Sequence, residues 1–149
     1  MQQVVNENPP FIDQIDRVFH TKGKPVLYSW GDRIYCPVPM EITPALRAHE
    51  AVHGERQMAY SDPDIEDGIL AWWMRYIGDP VFRLAEELVA HRAEYRLLYA
   101  MPGSEKPIVG WRSRRQYHLH FIATRLASKL YGGLISVSEA KKAIADGCG

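Results

Sequence analysis

Two cap-then-proline pairs, Thr43-Pro44 and Asp79-Pro80, constrain the fold of this chain more than any other feature. In each, a short polar side chain can accept from the free N–H groups of a helix start. The proline that follows gives up only an N–H that would be unpaired in any case. Helices are therefore predicted from about Pro44 to Tyr60 and from about Pro80 to Tyr99, the second ending before Pro102-Gly103. Gly54 inside the first costs about 1 kcal/mol against alanine, unless it permits a close backbone contact.

The remaining pattern reads as further helices behind a small sheet. Ser61-Asp62-Pro63-Asp64 breaks the chain, and Glu66 to Ile77 is predicted helical with Leu70, Trp73, Met74 and Ile77 as its apolar stripe. The Trp72-Trp73 pair then puts one indole off that stripe, where it could mark a contact surface. Trp111 to Leu130 shows helical spacing, and Ser136 with Glu139 forms a capping-box pattern for a last helix from Val137 to about Ala145. Ahead of Thr43 the residues favour extended structure. Ile15 to His20 is a candidate strand, and Pro25 to Trp30 faces Arg33 to Cys36 across Gly31-Asp32, a hairpin signal. The expectation is one α+β, mainly helical domain over 1–149, with a small N-terminal antiparallel sheet or hairpin, four to five helices, and residues 1–10 as a flexible arm.

Composition narrows the function classes. Eighteen basic residues balance eighteen acidic ones, so no overall field draws the chain to nucleic acid or an anionic membrane. The start of the chain lacks the features of a signal peptide, and no later stretch has the apolar length of a membrane span. A cytoplasmic protein is expected. Cys36 and Cys148 lack paired metal spacing and read as free thiols. Arg112, Arg114 and Arg115 read as a solvated helix start. A helix-turn-helix over Leu130 to Ile144 would have only Lys141 and Lys142 as cations, so nucleic acid is not the expected partner.

The chemistry-bearing motif is His49-Glu50-Ala51-Val52-His53. Residues i and i+4 of a helix stand one turn apart on one face, so both imidazoles can reach one ion, while Glu50 is free to act as a base. Zinc needs a third protein ligand, and catalytic sites keep a position for water. Arg56 and Ala59 stand where the metzincin pattern needs glycine and histidine, so the third ligand must come from elsewhere. The second helix offers Glu86, Glu87, His91 and Glu94, of which Glu87, His91 and Glu94 share a face. Gln57, one turn beyond His53, reads as a surface residue, as do Glu55 and Arg56.

Glu87-Leu88-Val89-Ala90 downstream of the His-Glu-x-x-His helix resembles the gluzincins, metallopeptidases in which a glutamate on a later helix completes the site. The stretch from Ala48 to Tyr95 also looks like small phage-encoded zincin-like proteins, through His49 to Gln57, Trp72 or Trp73 leading to Arg75-Tyr76, Pro80 to Arg83, and Glu87 to Ala90. The resemblance implies Zn2+ held by His49, His53 and Glu87. It implies hydrolysis of a peptide or protein substrate by a zinc-activated water, with Glu50 as general base. It also implies a sheet edge strand near the metal, able to pair with an extended substrate, and a tyrosine or histidine at the oxyanion. Tyr76, Tyr95, His91, His118, His120 and Tyr131 are all eligible for that last role. A metal-stapled structural or binding protein, such as a virion component, is the competing expectation.

Overall fold

The computed structural model describes residues 1–147. Cys148, one of the two thiols, lies outside them. Among the described residues are six α-helices and a three-stranded sheet, a mainly helical α+β fold.

The sheet is β1 (Gln3–Val5), β2 (Tyr28–Trp30) and β3 (Arg33–Tyr35) in the order β1-β3-β2. β2 and β3 form the expected hairpin, with Gly31 at φ +60° as the first loop residue, the position where such turns call for glycine. The sheet is mixed rather than antiparallel, because β1 adds to the far side of β3 in parallel, Val4 opposite Ile34. That also corrects the reading of residues 1–10 as an arm. Three residues are too few for an alternation to show in sequence, and the pairing is fixed by β3, some thirty residues on.

Ile15 to His20 is not a strand. It belongs to α1 (Ile12–Phe19), in which Ile12, Ile15 and Phe19 follow helical spacing and only Ile15 is fully buried. The helix has no side-chain cap, starting and stopping instead at Phe11 and His20 in left-handed conformation, so no start signal was there to read.

The other helices are α2 (Pro44–Ala59), α3 (Gly68–Gly78), α4 (Pro80–Ala100), α5 (Arg114–Leu126) and α6 (Val137–Asp146). The caps form as their sequences require: Thr43 accepts from the Leu46 N–H, Asp79 from Val81 and Phe82, and Ser136 from Glu139. The count exceeds the expected four to five because of α1. A short 3-10 turn, Lys129–Tyr131, follows α5.

Two apolar cores flank a polar middle. Ile15, Tyr28, Tyr35, Trp72, Trp73 and Tyr76 join α1, the sheet and α3. Tyr95, Ile122, Ala123, Leu126, Ala140 and Ile144 join α4, α5 and α6. Both indoles of Trp72-Trp73 are buried, at 1% and 6% exposure, while Met74 is 45% exposed. α3 is covered on two sides, so its buried face is wider than one stripe and the tryptophan pair marks no surface. Between the cores α2 packs along α4. The buried face of α2 is Ala45, His49, His53 and Gln57 at steps of four, flanked by Glu50 and Gly54. That of α4 is Arg83, Glu87, His91 and Glu94, with Glu86, Ala90 and Tyr95. Burying so many polar groups costs stability unless each is partnered, and their partners define the site.

Candidate metal centre

His49 and His53 project from adjacent turns of α2 toward Glu87 on α4. The His49 Nε2 lies 3.4 Å from Glu87 Oε2, and His53 Nε2 lies 3.3 Å from Glu87 Oε1. One ligand atom from each of the three side chains can be chosen so that all lie within 4.8 Å of one another, and all three residues are buried. Donors about 2.0–2.1 Å from one tetrahedral zinc ion are about 3.4 Å apart, so the histidine-to-carboxylate spacings fit that geometry. Two imidazoles and a carboxylate are also a donor set zinc accepts. A further sign of fit is Glu87 Oε2, a buried oxygen with no hydrogen-bond partner among the described residues.

The neighbours orient these ligands. Glu94 Oε1 is 3.1 Å from His49 Nδ1 and is paired with Arg125 of α5. A carboxylate on Nδ1 holds the proton there and leaves the Nε2 lone pair free toward the cluster, an arrangement that would suit a metal-bound histidine. Tyr76 donates its hydroxyl to Glu87 Oε1 at 2.5 Å. His91 Nδ1 contacts the Glu87 carbonyl at 2.6 Å, with the proton on that nitrogen and Nε2 left without a hydrogen-bond partner among the described residues. Arg83 binds the carbonyls of Tyr76, Ile77 and Tyr131, tying the end of α3 to the 3-10 turn.

The electrostatics of the cluster are compatible with a bound cation. Burial pushes Glu87 toward its neutral form, but His53 and His49 outweigh it and hold the carboxyl well below its usual range. Burial also works against charge on His49, yet Glu87 and Glu94 raise that histidine to about 10. His91 goes the other way, lowered to about 3 by burial and by the charge on His49. The protein has thus gathered carboxylates around two imidazoles, an arrangement neutralised by a bound metal or by a proton on His49.

Glu50 is not among the ligands. Ser29 of β2 donates to its Oε2 at 2.6 Å, and no hydrogen bond among the described residues engages Oε1. Glu50 borders a cavity of about 70 Å³ that also touches His49, His53, Glu87, Tyr76 and Tyr131. That is room for a few waters. β2 is an edge strand of the sheet with Ser29 against α2, but Gln57 and Trp73 both donate to the Ser29 carbonyl, so at that residue the edge is covered rather than free to pair with an extended substrate.

Of the alternatives for the third ligand, Glu86 pairs with Arg56, Glu94 stands behind His49, and His91 stands behind Glu87. Among the oxyanion candidates, Tyr76 and Tyr131 reach the cavity, while Tyr95 packs in the second core and His118 and His120 lie beside Tyr117 and Trp111. The placement of Gln57 at the surface is wrong. It is fully buried, accepting from the Gly31 N–H at 2.8 Å and donating to the Ser29 carbonyl at 3.0 Å, because the hairpin covers that face of α2. Arg56 is exposed as expected, and its guanidinium pairs with Glu86. Ser29 and Arg125 escaped sequence reasoning altogether, as neither belongs to a motif.

Compared with known proteins, the chain matches no family model, no curated protein and no solved structure. Among the described residues no helix is long and apolar enough to cross a membrane.

Proposed function

We propose that the chain is a zinc-dependent metallopeptidase, with His49, His53 and Glu87 holding the ion and Glu50 serving as general base. The observation that carries this reading is the position of Glu50. It is buried beside three residues at ligand spacing, it borders their cavity, and it is not itself needed as a ligand. Hydrolysis requires such a carboxylate as base, whereas a structural zinc site does not require one apart from its ligands.

Zinc bound to such a set would supply a Lewis acid that brings the pKa of a water toward neutrality and polarises a substrate carbonyl. The protein's own groups account for the proton. Ser29 holds Oε2 of Glu50, so Oε1 takes a proton from the attacking water as the new C–O bond forms. Glu50 then returns that proton to the nitrogen as the C–N bond breaks. Tyr131 borders the cavity, and its hydroxyl, held protonated by burial and by Glu87, can donate to the developing oxyanion. Glu94 and Tyr76 keep His49 and Glu87 oriented throughout.

The small size of the cavity favours a second reading, a closed zinc staple in a structural or binding protein. One comparison separates the two. Zinc-loaded protein is incubated with a casein-derived peptide mixture beside its Glu50→Gln variant, and cleavage is read by mass spectrometry. Cleavage by the wild type, lost in a variant that keeps its zinc and its melting temperature, supports hydrolysis. Equal outcomes in the two proteins would sink the role given to Glu50.

A further inference from the structure

A second hollow, of about 200 Å³, adjoins the candidate centre and shares His49, Glu50, Leu130 and Tyr131 with the first cavity. Pro25, Met40 and Leu46 give it apolar walls, and Arg125 lines it together with His49. Arg125 is anchored at one edge only. Its Nη2 pairs with Glu94, and among the described residues no other hydrogen bond engages the guanidinium. The side chain is 34% exposed and lines the hollow, so donors that Glu94 does not use remain available to a ligand.

A guanidinium offers five N–H donors in a plane, and its free edge matches the two oxygens of a carboxylate. Those donors are open to water rather than orphaned, and a carboxylate seated on them replaces water bonds with a charge-assisted pair. The apolar walls decide what else the ligand carries. An acidic side chain inside a peptide brings a carboxylate but nothing to cover Met40 and Leu46. The last residue of a peptide brings an α-carboxylate and an apolar side chain on the same carbon.

We infer that this hollow binds the C-terminal residue of a peptide, with the α-carboxylate on Arg125 and an apolar side chain against Met40 and Leu46. The inference rests on the peptidase reading for its consequence, which is that cleavage falls near the C-terminus of a substrate. The binding itself can be measured without hydrolysis.

The probes are N-acetyl-L-leucine, its amide, and N-acetyl-L-glutamate α-amide, titrated by calorimetry into zinc-loaded and zinc-free wild-type protein and into Arg125→Gln. The free acid is expected to bind at least about tenfold tighter than leucinamide in both wild-type forms, and Arg125→Gln should erase the difference. The glutamate amide should bind as weakly as leucinamide. Equal binding of acid and amide overturns the inference. A preference that vanishes in zinc-free wild type, which needs no variant to fold, places the carboxylate on the metal and overturns it as well. Glutamate amide binding as tightly as the leucine acid removes the C-terminal assignment. If acid binding behaves as expected while peptides stay uncleaved, the hollow stands and the peptidase reading falls.

Discussion

The α-carbon of Gly54 faces the carbonyl of Gly31 so closely that a Cβ there would lie 2.2 Å from the oxygen. This approach seats the hairpin turn on α2, where Gln57 bonds the Gly31 N–H and the Ser29 carbonyl, and so brings Ser29 onto Glu50. The glycine that weakens α2 as a helix is thus what lets the edge strand reach the site.

Gly54→Ala should therefore destabilise the protein despite the better helix propensity of alanine. The Cβ meets backbone, which cannot swing aside, and overpacking of this kind costs about 1–3 kcal/mol. For a domain of this size the melting temperature should fall by roughly 2–10 °C, measured by calorimetry. A melting temperature unchanged or raised would mean that hairpin and helix are not seated together.

Tyr131→Phe removes only the hydroxyl at the cavity. If that hydroxyl serves the oxyanion, kcat should fall by about 10²–10³ with KM and zinc content little changed. A change confined to KM would assign Tyr131 to substrate binding.

Zinc-free protein should be most stable near pH 6.5, because two histidines pull its stability in opposite directions. The folded pKa of His91 is lowered to about 3, so between 6.5 and 3 the unfolded chain binds more protons and stability falls as the pH drops. His49 is raised to about 10, so its contribution is full below 6.5 and lost as the pH rises through 10. Glu94, lowered to about 2 by His49 and Arg125 against its burial, adds stability that is full above 4.5 and lost toward 2. His91→Gln should flatten the melting-temperature profile between pH 6.5 and 4.5, where Glu94 has not yet begun to act. It should leave the alkaline side in place.

The parts of the fold and site that were legible in the sequence are those set by local chemistry. Thr43-Pro44 and Asp79-Pro80 start their helices where capping requires, and those helices carry His49, His53 and Glu87 at spacings that a helix turns to one face. What escaped reading depends on distant partners. β1 exists because β3 is there to pair with it, and Gln57 is buried because the hairpin lies over it. Trp72 and Trp73 are both core because α3 is covered from two sides. Ser29 and Arg125 reach the site from the hairpin and the end of α5, and no spacing along the chain marks them. α1 was missed for a different reason, the lack of a capping side chain at Phe11.

The central claim is that His49, His53 and Glu87 hold one zinc ion. Elemental analysis of purified, untagged protein tests it most directly, with His53→Ala and Glu87→Ala alongside the wild type. About one zinc per wild-type chain is expected, lost in both variants. Wild-type protein that stays free of metal after zinc is offered, or variants that keep it, would contradict the account.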